Sequence, residues 1–483
     1  MNNKNKVVTR FAPSPTGFMH IGSARTALYA WLFARKHGGR FILRIEDTDK
    51  EREVVGSIPH IIESLTWFGI EWDEGIDRGG PHAPYLQSKR LDLYRAYAEK
   101  LIAAGHAYPD PYSESELEAL RSEAAAKKQP FLFRDHRPAK LGPWDGRQPL
   151  RFRAPRIARY EWDDLVRGRL SAGEEAIDDF ILIKSDGYPT YNLAHIVDDI
   201  EMGVTHVMRG EEFISSTPKF LSLYEALGAT APAFATMPVI LGPDGKKKLS
   251  KRDGAKDLLD YRAEGYMPEA LMNVLALVGW NPGTDQEFFS KDELIAAFDL
   301  SRVQVSGAHF DEVKLLTINQ HWMRTLSDEE FIARGDFHAA DREKLRAAVP
   351  LLKERARTFR EARDMLAGEL ACLFEKPALD RGKLLAKEPV DRPGMTKSAL
   401  EGLLGLVQAL PSDVSAGTVK ETLMPLADEQ EERGKGGRGA VLWPLRYALS
   451  GQERSPDPFT LVALLGAAET VSRIRAAIAI LEG

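Results

Sequence analysis

The first fifty residues switch between two hydrophobic periods. Val7-Val8-Thr9-Arg10-Phe11 is a short apolar run, read as a buried strand. A turn rich in proline and glycine follows, Ala12-Pro13-Ser14-Pro15-Thr16-Gly17. Ala24, Ala27, Leu28, Trp31 and Leu32 then recur at helical spacing, and Gly38-Gly39 stops that helix. Phe41 to Ile45 is a second strand. Strand, tight turn, helix and strand make a βαβ unit, which predicts a parallel sheet.

The same sheet is expected to resume far downstream. Phe180-Ile181-Leu182-Ile183 is an apolar run before the turn at Asp186-Gly187, and Val204 to Met208 is a second, ending at Arg209-Gly210. Thr217-Pro218 opens a helix through Leu227, with proline at its first position. Met237 to Leu241 reads as a further strand, closed by Gly242-Pro243-Asp244-Gly245. The interval from Tyr85 to Asp179 is then an insertion between two halves of a nucleotide-binding sheet, with a helix over Ser115 to Lys127. From about Asp328 strand signals thin out. Leu351 to Leu373 and Phe459 to Leu481 are helical by periodicity, and the glycine-rich stretch Arg433 to Gly439 is a loop. The outline is an α/β front half and an all-α rear half.

Composition narrows the class. The chain of 483 residues is 43% hydrophobic and 28% charged, ordinary for a globular protein. No stretch approaches the ~20 apolar residues of a membrane span, and Met1 to Lys6 is short and polar, without an apolar signal core. Cys372 is the only cysteine, which excludes an internal disulfide and a multi-cysteine zinc cage and fits a reducing cytoplasm. A net charge of −6 argues against bulk attraction to nucleic acid, while leaving room for local basic tracks.

Two segments carry candidate chemistry. His20-Ile21-Gly22-Ser23 stands where the first strand turns into its helix, where free N–H groups and the positive end of a helix dipole suit phosphate. Gly22 lets a flat ligand approach the backbone, and His20 is either a phosphate donor or a helix cap. Lys246-Lys247-Lys248-Leu249-Ser250-Lys251-Arg252 follows the last predicted strand. Ammonium groups gathered there suit a pyrophosphate leaving group; alone, such a run is more often a solvated turn.

Together, in this order, the two segments resemble the "HIGH" and "KMSKS" pair of class I aminoacyl-tRNA synthetases. Arg10 to Gly17, Arg44-Ile45-Glu46-Asp47-Thr48-Asp49, Asp186 to Tyr191, Val197-Asp198-Asp199 and Arg209-Gly210-Glu211-Glu212 are similar to the glutamyl-tRNA synthetase family in particular. The resemblance runs nearly end to end and is strongest from Arg10 to about Gln320.

The resemblance implies a Rossmann-type catalytic domain with an insertion, then a helical anticodon-binding region. The parts are residues 1–84 and 180–241 for the sheet, 85–179 for an inserted acceptor-stem domain, 242–327 for the lysine loop and stem contact, and 328–483 for the anticodon region. It implies ATP, carried with Mg2+, on Pro13, Thr16, Gly17, His20, Gly22, Lys248, Leu249, Ser250 and Lys251. His20, Lys248, Ser250 and Lys251 are the catalytic set. L-glutamate would meet Arg10, Ala12, Ser14, Glu46, Tyr191, His195 and Arg209; for Glu46 the alternative is a structural salt bridge with Arg44 or Lys50. His195 is kept only as a pocket wall, since the family varies there. Asp198-Asp199 reads as a structural brace in preference to a magnesium pair. Arg355 and Arg446 match family arginines that face the anticodon. Partners are tRNA(Glu), with tRNA(Gln) left open, and a monomer is implied. Some relatives hold structural zinc on closely spaced cysteines; here Asp110 and Tyr112 stand at those places, so no structural zinc is expected. Glutamine-specific relatives end in β-barrels, which the helical rear half does not match.

Overall fold

A computed structural model describes residues 6–138, 140, 142–242, 245, 247, 249, 256–411, 413–432 and 437–483. The chain divides into two compact units, residues 1–262 with 268–318, and residues 263–267 with 319–483.

The first unit is built on parallel strands. β1 (Val8–Phe11), β2 (Arg40–Leu43) and β3 (Glu74–Gly75) pair in that order, all parallel. β1 leads through the proline–glycine turn into α1 (Ile21–Lys36), whose Ala24, Ala27, Leu28, Trp31 and Leu32 are all buried. Between β2 and β3 lies α2 (Ser57–Trp67).

The second half of the sheet contains β9 (His206–Gly210) and β10 (Ala233–Met237), parallel to one another, with α6 (Thr217–Ala226) between them. Thr205, just before β9, joins the halves: its N–H donates to Val8 O at 2.9 Å and its Oγ1 accepts from Val8 N at 2.8 Å. β1 and β9 are therefore neighbours from which the strand order runs outward in both directions. Ligands of open α/β sheets collect at the carboxyl ends of such a switch point. Arg10 and Arg209 sit at those two ends.

The insertion holds α3 (Leu91–Ala103), β4 (Ala107–Pro109), α4 (Glu114–Ala126), β5 (Leu150–Phe152), β6 (Tyr160–Asp164), β7 (Gly168–Ala172) and β8 (Ile181–Ile183). α4 opens on a capping box formed by Ser113 and Glu116, which sets its start one residue earlier than periodicity gives. Three strand expectations need correction. Phe180–Ile183, expected in the nucleotide-binding sheet, yields β8, which pairs antiparallel with β5 in the separate sheet β4-β5-β8. β6, inside the expected insertion, instead pairs parallel with β10 and extends the central sheet, with β7 antiparallel at its edge. An apolar run identifies a strand but not the sheet that accepts it. Met237–Leu241 is not one strand either. Met237 ends β10, Pro238 interrupts pairing, and Ile240–Leu241 forms β11 against β12 (Ala308–His309). α5 (Tyr191–Glu201) precedes β9 and carries seven consecutive buried residues, Leu193 to Asp199.

Among the described residues of the second unit the ordered elements are helical. The expected helix Leu351–Leu373 is broken. One helix spans Arg342–Arg355, Ala356 leaves the helical conformation, and Thr358 caps a new helix, Phe359–Ala367, by accepting from Glu361 N. The last helix, Pro458–Glu482, contains a non-helical Gly466. Of the glycine-rich stretch Arg433–Gly439, residues 433–436 lie outside the described residues; the helix Gly439–Ser450 follows it. No helix among the described residues is long and apolar enough to cross a membrane.

Candidate active site

His20 is the N-cap of α1. Its Nδ1 accepts from Gly22 N at 3.1 Å and Ser23 N at 3.4 Å. A neutral imidazole that accepts at Nδ1 carries its proton on Nε2, so capping fixes the tautomer that donates. The cap and the phosphate donor are thus compatible roles for one ring. A Cβ at Gly22 would lie 2.9 Å from His20 Cε1 and 3.0 Å from Nδ1, so a larger residue there would shift the capping imidazole. At Gly17 a Cβ would meet nothing within 4 Å.

The turn before α1 is tied down through its carbonyls. Pro13 O accepts from Glu46 N at 3.0 Å, Pro15 O from Val54 N at 2.8 Å, and Gly17 O from Ser57 Oγ at 2.7 Å. Pro13 and Ala12 are half-buried, while Ser14 and Thr16 remain exposed. A cleft beside α1 is lined by His20, Gly22, Gly210, Val239, Ile240 and Leu249. This cleft brings the turn of the first half together with the ends of β9 and β10. Leu249 is held by its N–H to Ile240 O at 2.8 Å. Lys248, Ser250 and Lys251 lie outside the described residues.

Beyond the cleft lies a buried network of charge. Arg44, fully buried on the chain just after β2, donates to Asp199 at 2.8 Å and Glu46 at 2.9 Å, and lies 3.6 Å from Asp198. Arg10 Nε reaches the same Asp199 oxygen at 3.3 Å. Asp198 also accepts from Arg90 at 2.8 Å, Gln87 at 2.8 Å and Tyr94 at 2.9 Å. Burial pushes Glu46 and Asp198 above the usual carboxylate range against the pull of Arg44, whereas at Asp199 the nearby Arg10 and Arg44 outweigh burial and hold it below. Asp198 and Asp199 are thereby engaged by guanidinium groups, which fits a brace and not a metal pair.

Arg209 is different. It is buried, donates to Thr217 Oγ1 at 3.0 Å, and its Nη1 has no hydrogen-bond partner. The rings of Phe213, Phe220 and Phe234 surround it at 4.7–5.4 Å from the guanidinium carbon. Burial draws its pKa below the ordinary arginine value. Among the described residues it has no carboxylate within ion-pair distance, in contrast to Arg10, Arg44 and Arg90.

Tyr191 and His195 form the aromatic wall beside it. Their rings stack at 4.3 Å and 14°, and His195 meets Phe220 edge-on at 4.5 Å. His195 Nδ1 lies 2.6 Å from Tyr191 O, and burial lowers the imidazole to about pKa 3. His195 is therefore neutral, with Nδ1–H donating to the carbonyl and Nε2 left as an acceptor.

The remaining predicted positions are structurally plain. Asp110 is paired with Arg151, whose guanidinium stacks on Phe133 at 3.3 Å, and Tyr112 donates to His136 O at 2.8 Å. In the second unit Arg355 ends its helix 3.6 Å from Glu369, and Arg446 donates to Glu453 O at 2.9 Å over the Trp443 ring. Arg44 stands in a motif read from the sequence and forms the salt bridge to Glu46 weighed there, but Gln87, Arg90 and Tyr94 were not singled out. They lie 87 to 94 residues into the chain while their partner is Asp198, and no local pattern reports such distant pairs.

Comparison with known proteins fits this geometry. Residues 6–317 match the model of the class I tRNA synthetase (E and Q) catalytic domain, and residues 318–478 an anticodon binding domain. The chain is 40% identical to a glutamate–tRNA ligase of Dehalococcoides mccartyi, over 98% of both chains. It is 42% identical to one of Heliobacterium modesticaldum, over 97% of this chain and 96% of that one. The crystal structure of a glutamate tRNA ligase from Elizabethkingia meningosepticum, in complex with its amino acid, superposes with a TM-score of 0.85 at 37% identity, covering 99% of this chain and 100% of that one. The fold is that of a class I aminoacyl-tRNA synthetase. Within that class, the chain belongs to the glutamyl-tRNA synthetase family.

Proposed function

We propose that the chain activates L-glutamate with ATP and transfers it to the 2′-hydroxyl of the terminal adenosine of tRNA(Glu). The observation that carries the amino-acid choice is the charge balance of the pocket. Arg10, Arg44 and Arg90 are matched by Glu46, Asp198 and Asp199, which leaves the Arg209 cation over. Glutamate, with two carboxylates and one ammonium, brings one net negative charge; glutamine brings none. A buried cation with an unpaired N–H is poorly satisfied by a neutral amide and well satisfied by a carboxylate.

In this reading Arg10 and Arg209 meet the carboxylates. Tyr191, with His195 stacked behind it, lies along the side chain, Ala12 beside it, and Ser14 and Glu46 hold the ammonium. The α-carboxylate is already ionised, so the first step needs no general base. Its oxygen attacks the α-phosphorus of ATP, the α–β bridging bond breaks, and pyrophosphate leaves. His20 donates from Nε2 to phosphate oxygen, and Lys248, Ser250 and Lys251 stabilise the charge that grows on the leaving group. Pro13, Thr16, Gly17, Gly22 and Leu249 shape the nucleotide cleft. Magnesium travels with ATP and neutralises phosphate charge. The tRNA 2′-oxygen then attacks the activated carbonyl and AMP departs. By resemblance, bound tRNA is needed for efficient activation, the enzyme works as a cytoplasmic monomer, and no structural zinc is required. In this reading the inserted segment 85–179 meets the acceptor stem, apart from the strands it lends to the central sheet, and residues 242–327 carry the lysine loop and stem contact.

The second unit selects the tRNA through Arg355 and Arg446. Glutamate and glutamine anticodons differ at the final base, and an arginine fork can donate to the acceptor edge of a cytosine. One good base contact is worth roughly 1–3 kcal/mol, so tRNA(Glu) is expected to be charged about tenfold to a hundredfold better than tRNA(Gln). Charging both purified tRNAs in parallel tests this. Arg355→Gln should narrow the gap without slowing activation. Equal charging by the wild type removes the preference, and an unchanged gap in the variant assigns the reading to other residues.

A further inference from the structure

The two segments that carry phosphate chemistry are more than two hundred residues apart, and a third element joins them. His60 lies on α2 and belongs to neither. Its Nε2 is 2.8 Å from Asp257 Oδ1. Its Nδ1 faces Met19 N at 3.5 Å and Ser64 Oγ at 3.3 Å, and Phe18 packs on the ring at 4.6 Å. Both Nδ1 neighbours can donate, so Nδ1 is placed to accept and Nε2–H to donate to the Asp257 carboxylate.

Asp257 is an anchored point. Its backbone forms an antiparallel bridge with His20, and the next residue, Leu258, donates to Met19 O at 2.9 Å. Its carboxylate also accepts from Leu259 N at 2.9 Å at the start of α7 (Leu258–Ala263). In the sequence it follows Arg252, the last residue of the lysine run, by five positions. On the upstream side the run leaves β11, which is paired with β12. His60 therefore contacts at once the residue beside the capping histidine and, among the described residues, the first carboxylate after the lysine run.

We propose that His60, acting through Asp257, is a positioning residue for adenylate formation. It fixes the register between the His20 segment and the chain leaving the lysine run. The inference rests on the reading that these two segments activate ATP. Phosphoryl transfer depends on placement, and a displacement of about 1 Å can cost up to about a hundredfold in rate. His60 touches no substrate in this account, and the glutamate pocket is built from other residues, so glutamate binding should be spared.

The test is tRNA-dependent pyrophosphate exchange by the full chain at saturating ATP and glutamate. His60→Ala and Asp257→Ala should each lower turnover about tenfold, with the KM for glutamate within about twofold of wild type. The double variant should lose no more than either single one, because both break the same contact. His60→Gln, whose amide nitrogen reaches the place of Nε2, should recover most of the loss. If His60→Ala does not fold, Asp257→Ala against His60→Gln carries the same comparison. Full turnover in the alanine variants, losses that multiply in the double variant, or a glutamine variant as slow as alanine overturns the proposal. Wild-type exchange measured alongside separates the two levels. Its absence removes the activation reading itself, while normal wild-type exchange with indifferent variants removes only the role of His60.

Discussion

Arg209→Gln is expected to lower kcat/KM for glutamate by about a hundredfold, since removing one partner of a desolvated charge pair typically costs about 2–5 kcal/mol. The buried guanidinium is held by Thr217 and flanked by the rings of Phe213, Phe220 and Phe234. Most of the loss should fall on glutamate KM, because the contact exists before reaction as well as during it. Selectivity against glutamine should shrink in parallel, since the spare positive charge is what separates an acid from its amide. Steady-state exchange with both amino acids measures this. An unchanged glutamate-to-glutamine ratio would place the discriminating charge elsewhere.

Lys251→Ala should act on the opposite parameter. Losing one preorganised donor at developing charge costs roughly 3 kcal/mol, about a hundredfold or more in turnover. Glutamate KM should stay near its wild-type value, because Lys251 is assigned to the leaving pyrophosphate and not to the amino acid. Single-turnover activation with glutamate and tRNA bound reads the step directly. Activation at the wild-type rate would make Lys251 an ordinary solvated lysine. The two variants thus split binding from chemistry.

Much of this site can be read from the sequence because its parts are local. The turn from Arg10 to His20 follows from a strand, a proline–glycine turn and a helix start in succession. Arg10 and Arg209 are named by the family resemblance, and their places at the carboxyl ends of parallel strands, where ligands of such sheets collect, agree with it. What escapes is whatever depends on pairing across the chain. Arg44 opens a family motif, yet its partners Asp198 and Asp199 lie on α5, and only packing reveals that one guanidinium joins them to Glu46. His60 looks like any histidine on an amphipathic helix until Asp257 is brought to it. Strand placement fails for the same reason. Tyr160–Asp164 alternates buried and exposed positions as a half-covered strand should, but only its contact with β10 puts it in the central sheet. The break at Ala356–Thr358 did have a local sign, since Thr358 with Glu361 is a helix-start pattern inside a longer apolar periodicity.

The stacking of His195 on Tyr191 explains a residue that motif comparison leaves open. A neutral, buried imidazole bonded to Tyr191 O holds the tyrosine ring in place without adding charge. The tally of three ion-paired arginines and one spare is unaffected by it. Arg209 therefore remains the only source of the extra positive charge among these buried side chains, and the account stands or falls on what that charge selects.

Pyrophosphate exchange into ATP by the wild-type chain, with tRNA(Glu) present and glutamate or glutamine supplied separately, tests that point most directly. The account predicts strong exchange with glutamate and exchange near background with glutamine. Strong exchange with glutamine and none with glutamate would contradict it.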